Sequence, residues 1–131
     1  MDWKVPNRVK VVAVFTLLLG VAMLVYWGMY LFQGMPLAGI PILSELVNAG
    51  LALVSGIGML SLKRWSIPTS LFTAGMWAYG LIGGINLVLE HGLDFGSPFG
   101  AFTDALLFPL VLIFAVVLAI VVWRNREMFH K

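Results

Sequence analysis

A chain of 131 residues with 61% hydrophobic and 11% charged side chains carries more apolar surface than a water-soluble fold of that length can bury, so composition predicts an integral membrane protein. The absence of cysteine excludes disulfide frameworks, thiol redox pairs and cysteine metal sites. The net charge of +2 comes from basic residues placed singly or in pairs beside apolar runs, which is not a nucleic-acid surface.

Residues 1–10 (MDWKVPNRVK) read as an interfacial lead-in, with Trp3 as a headgroup anchor. The apolar run from Val11 to Phe32 exceeds the roughly 7–15 residues of a signal-peptide core and is followed by no small-x-small cleavage site. It is therefore expected to be a retained first helix, over about residues 9–32. Tyr26, Trp27 and Tyr30 near its far end suit an aromatic belt. Residues 33–41 (QGMPLAGIP) read as an uncharged outer loop, with Pro41 where a helix can begin.

Two further runs, Ile42 to Leu62 and Ile67 to Leu89, are joined by only Lys63-Arg64-Trp65-Ser66. Each can cross a hydrocarbon core of ~30 Å, which needs about 20 apolar residues. The short joint predicts an antiparallel hairpin of helices over 41–62 and 66–89, with Ser66 as N-cap of the second. Residues 90–100 (EHGLDFGSPFG) read as a second outer loop, and 103–123 as a fourth helix with a bend at Pro109. The last eight residues form a tail.

The expected fold is thus an all-α integral membrane four-helix bundle with antiparallel up-down topology. All eight Lys and Arg residues fall on the side of the termini and the 63–66 joint, which predicts cytoplasmic termini in a plasma-membrane protein. Small residues spaced four apart, Gly80-x-x-x-Gly84 above all, predict close packing of the hairpin. Thr16-x-x-x-Gly20 and Ala115-x-x-x-Ala119 offer the same device to the other helices.

Counting outward from Arg64 assigns heights to the polar residues. Ser55 and Thr73 are each nine residues away, Asn48 sixteen and Tyr79 fifteen, and Glu45 nineteen, one turn below Asn86. Three rungs are expected: Ser55 with Thr73, Asn48 with Tyr79, and Glu45 with Asn86. The outer rim, where Gln33, Glu90, His91, Asp94 and Asp104 also fall, is thus acidic and the inner rim basic, and the interior of the hairpin holds only neutral groups.

These heights predict a shallow, outward-facing ligand site of Glu45, Asn48, Tyr79, Asn86 and Glu90, taking a cation, a proton or a small amphipathic ligand. No tight metal-ligand spacing, embedded haem histidine or catalytic motif is present, so neither a cofactor nor enzymatic activity is expected. The rival reading is a non-catalytic accessory or scaffold subunit whose apolar fourth helix docks on a larger membrane complex; as partners, the lipid bilayer and either a homo-oligomer or such a complex are expected. A membrane enzyme without a recognisable motif comes third.

Overall fold

The computed structural model describes residues 5–34, 42–91 and 101–130, of which 42, 84, 87, 88, 91, 101–105, 107 and 108 are described by backbone alone. The four helices are α1 (Asn7–Phe32), α2 (Ile42–Leu60), α3 (Ser66–His91) and α4 (Ala101–Arg124), followed by a single 3₁₀ turn, Arg126–Met128. No strand occurs among the described residues, and the fold is all-α. The helix ends lie within two residues of those expected from sequence.

Backbone chemistry explains the boundaries. Pro6 precedes α1 in an extended conformation, and its carbonyl accepts the N–H of Lys10 at 2.9 Å. At the other end Gly34 adopts φ +67 and its N–H returns to the Leu31 carbonyl, a left-handed stop that glycine makes without steric cost. The α2 stop uses the same geometry with a different residue. Leu62 holds φ 51, its N–H bonds the Met59 carbonyl at 3.1 Å, and the N–H of Lys63 bonds Gly58 at 2.9 Å. This pair of bonds is the Schellman pattern.

The joint differs from expectation at Ser66. Rather than capping free N–H groups of α3, its hydroxyl donates back to the Lys63 carbonyl at 2.6 Å and closes the turn. Gly58 makes room for it, because a Cβ there would lie 2.7 Å from Ser66 Cβ and 2.8 Å from the Trp65 ring. Helix α4 continues through Pro109.

Among the described glycines, those that bring a neighbouring helix's backbone nearest lie between α1 and α2. A Cβ on Gly20 would meet Leu53, Ala49 and Ala52 at 3.1–3.2 Å, and one on Gly56 would meet Leu17 at 2.5 Å and the Ala13 carbonyl at 3.0 Å. These pairs run in opposite directions along the two helices, so α1 and α2 are antiparallel. The Thr16-Gly20 spacing is used as expected, and Ala115 is likewise buried. At Gly80 an added Cβ would lie 3.3 Å from the Glu45 carboxylate, and the surroundings of Gly84, the other half of the Gly80-x-x-x-Gly84 pattern, lie outside the described residues. Helix α3 packs on α4 through Trp77 and Phe114, whose ring centroids are 6.0 Å apart, and Phe114 reaches Phe15 of α1 at 6.1 Å.

Among the described residues, Val5, Val9, Met59, Leu62, Leu118, Val122 and Phe129 belong to one buried apolar cluster that ties the joint to the ends of α1 and α4. The tail expected to hang free instead folds under the helices, with Phe129 buried. Outward faces are strongly apolar, including Val11, Phe15 and Leu18 on α1 and Leu110, Ile113 and Val116 on α4. Among the described residues, two helices are long and apolar enough to cross a membrane, Asn7–Phe32 and Leu43–Leu60.

Candidate functional site

Glu45 lies in the first turn of α2, half-buried at the end of the molecule away from the joint. The Trp27 indole N–H, from the last part of α1, donates to its carboxylate. From the other side the bare backbone of α3 approaches, since a Cβ on Gly80 would sit 3.3 Å from Glu45 Oε1. Three helices thus define the position of one carboxylate. Glycine at 80 is what allows the third to come so near.

Asn48 follows one turn later on the same face of α2 and is 3% exposed. Its Oδ1 is buried and has no hydrogen-bond partner among the described residues. A buried amide oxygen without a hydrogen bond costs about 1–3 kcal/mol, which a donor or cation bound there would recover. Glu45 and Asn48 together present oxygen acceptors, a set suited to a proton donor or a hard cation.

The remaining expected site residues stand apart from this pair. Tyr79 is 84% exposed, so its hydroxyl does not complete Asn48. Asn86 is exposed and its amide donates to Glu90 Oε1, four residues along the same helix, at 3.3 Å. Tyr79, Gly83, Asn86 and Glu90 do share one stripe of α3, but all four are exposed: the stripe points outward rather than toward α2. Of the three rungs, Ser55 with Thr73 forms, at 3.4 Å between two buried hydroxyls. The partner of Glu45 is Trp27, a residue whose position near the end of α1 suggested only an aromatic belt.

Gln33 is exposed. Asp94 and the side chains of His91 and Asp104 lie outside the described residues. Among those described, no group of three or more His, Cys, Asp or Glu side chains converges as a metal site would require. No family model, curated protein or solved structure matches the chain.

Proposed function

We propose that this chain is an integral membrane protein crossing the bilayer four times, with both termini and the 63–66 joint cytoplasmic. We further propose that Glu45 and Asn48 form a shallow, outward-facing site for a proton or small cation. The apolar outer faces support the membrane reading, since in water they would be exposed patches prone to association. At 26 and 24 residues, α3 and α4 also have the length to span, at 1.5 Å per residue.

The basic residues supply orientation. Arg8 of α1 meets Asn125 just beyond α4, and α2 and α3 are joined at Lys63 and Arg64, so positive charge gathers at one end. Glu45 and Glu90 stand toward the other end. This is the asymmetry of a positive-inside protein.

The observation that carries the site is the unpartnered, buried Asn48 Oδ1 one turn from a carboxylate that Trp27 orients. A purely structural pair would be expected to satisfy its own acceptors. The test is thallium or proton binding and transport by the full chain in phosphatidylcholine vesicles. Wild type responds, and Glu45→Gln and Asn48→Leu each lose the response. An unchanged response in both variants overturns the site.

A second reading draws on Tyr79. A tyrosine hydroxyl directed outward from the middle of a helix is poorly matched to lipid and well matched to another protein helix. An accessory subunit would use this face of α3, and would copurify in fixed ratio with a larger complex in mild detergent. Recovery as a monomer counts against it.

A further inference from the structure

Asn48 Oδ1 is one of two buried side-chain atoms without a partner among the described residues, and the second is Ser70 Oγ on α3. Both belong to the same seam. On α3, Ser66 touches the position of Gly58, Thr73 meets Ser55, and Gly80 faces Glu45, so 66, 73 and 80 are turned toward α2, with Ser70 one turn before Thr73 beside that row and Trp77 turned to Phe114 of α4 and Met23 of α1. On α2, Asn48 is seven residues from Ser55, two helical turns, and shares its direction. The seam therefore reads, from outside inward, Glu45, Asn48, Ser55 with Thr73, Ser70 and Ser66. It contains a carboxylate, an amide and four hydroxyls.

We propose that this seam is a hydrated proton path leading inward from Glu45, with internal waters bonded to Asn48 Oδ1 and Ser70 Oγ. The proposal rests on the membrane reading and on Glu45 as the outer site. Buried acceptors that the protein leaves open are where internal water binds, and within a bilayer no other solvent can satisfy them. The central pair is loose in the same sense. Thr73 Oγ1 donates to the Thr69 carbonyl at 2.8 Å, so Ser55 is the donor between them, across a long 3.4 Å. Proton movement along such a row exchanges O–H bonds between neighbouring oxygens and needs no redox partner. The proton enters at the Glu45 carboxylate and leaves to water at the exposed Lys63-Arg64 joint.

One interval is wider than a hydrogen bond. Asn48 and Ser55 are about 10 Å apart along the axis, and the buried Ala52 lies between them in sequence on that side of the helix. Trp77, 2% exposed, lies between Thr73 and Gly80 in the sequence of α3. Its indole N–H is held by Met23 Sδ at 2.9 Å, a weak acceptor. Bridging waters enter there only when Trp77 moves, which gives up its thioether bond and its contact with Phe114 of α4.

The test places the full chain in phosphatidylcholine vesicles with an internal pH dye and a potassium diffusion potential. Wild type carries protons faster than protein-free vesicles, and the Ser55→Ala/Thr73→Val double variant falls to the protein-free rate. Wild-type flux no faster than empty vesicles, or flux unchanged in the double variant, overturns the path. Thermal melting provides the second measurement. Removing a dry, unpartnered hydroxyl would raise the melting temperature, so a rise in Ser70→Ala shows a dry seam and overturns the proposal. No rise agrees with bound water. Thallium binding lost in Glu45→Gln with no proton flux leaves the outer site standing and the path refuted. Flux insensitive to Glu45→Gln yet lost in the double variant refutes Glu45 and keeps the hydroxyl path.

Discussion

Arg8 Nε donates to Asn125 Oδ1 at 2.6 Å, joining the two ends of the helical region across 117 residues. Asn125 is 6% exposed and its own amide donates to the Val121 carbonyl at 2.7 Å, so a single side chain both secures the end of α4 and receives the start of α1. Asn125→Leu removes both bonds at once. It is expected to lower stability by about 1–3 kcal/mol, the range for losing charge-assisted bonds at a part-buried site. Arg8→Gln, which leaves the Val121 bond in place, should cost less. Denaturant unfolding in detergent micelles, comparing the two variants, checks the order.

Glycines in this chain divide sharply by what surrounds them. A Cβ on Gly56 would meet Leu17 at 2.5 Å, closer than real Cβ atoms come, with the Ala13 carbonyl behind it at 3.0 Å, whereas Gly75 and Gly83 have nothing within 4 Å of the same position. Gly56→Ala must push α1 and α2 apart and is expected to destabilise by about 1–3 kcal/mol, as overpacking does. Gly75→Ala fills open space on a helix and should be neutral or stabilising by up to about 1 kcal/mol. Melting temperatures of the two variants should move in opposite directions or only the first should move. A drop of equal size in both would refute this account of the α1–α2 contact.

Height along the bundle is legible in the sequence, and so is which residues share a stripe, but not which way each stripe faces. Rise per residue is fixed in a helix, so counting from Arg64 put Ser55 level with Thr73, and the two do meet. Rotation is equally fixed, at about 100° per residue, and it explains the failures. From Thr73, which faces α2, Tyr79 is six residues on and turned about 120° away. Asn86, thirteen residues on, is turned about 140° away. Gly80, seven residues on, returns to within about 20° and does face Glu45. Nothing local in the sequence announces Trp27 as the partner of Glu45, because that contact depends on how α1 lies against α2. Phe129 and Asn125 were hidden for the same reason: a short polar tail gives no periodic signal, and its burial is set by the space left between the ends of α1 and α4.

The left-handed residue at the end of α2 yields an unusual ordering. Leu62 is buried and also holds φ 51, a conformation that costs a side chain roughly 1–2 kcal/mol relative to glycine. Leu62→Ala loses the buried surface and keeps the strain. Leu62→Gly loses the same surface and relieves it. The glycine variant is therefore expected to be the more stable of the two by about 1 kcal/mol, the reverse of the order in a helix interior. Parallel denaturation of both variants reads this directly, and an alanine variant more stable than the glycine one would refute it.

The bond between Trp27 and Glu45 can be isolated from the burial of either residue. Trp27→Phe keeps an aromatic ring against α2 and removes the indole N–H, while Glu45→Gln keeps the size of the acceptor and removes its charge. If the bond orients the carboxylate, the two changes are not independent: the double variant should lose less stability than the sum of the singles, by about 0.5–3 kcal/mol, the usual range for residues in direct contact. The same pair separates orientation from affinity in cation binding. Trp27→Phe should weaken thallium binding while leaving it detectable, because the acceptors remain and only the alignment is lost. Glu45→Gln should abolish it, and adding Trp27→Phe should then change nothing further. Additive stability losses, together with thallium binding that Trp27→Phe leaves untouched, would mean that the indole packs beside Glu45 without positioning it.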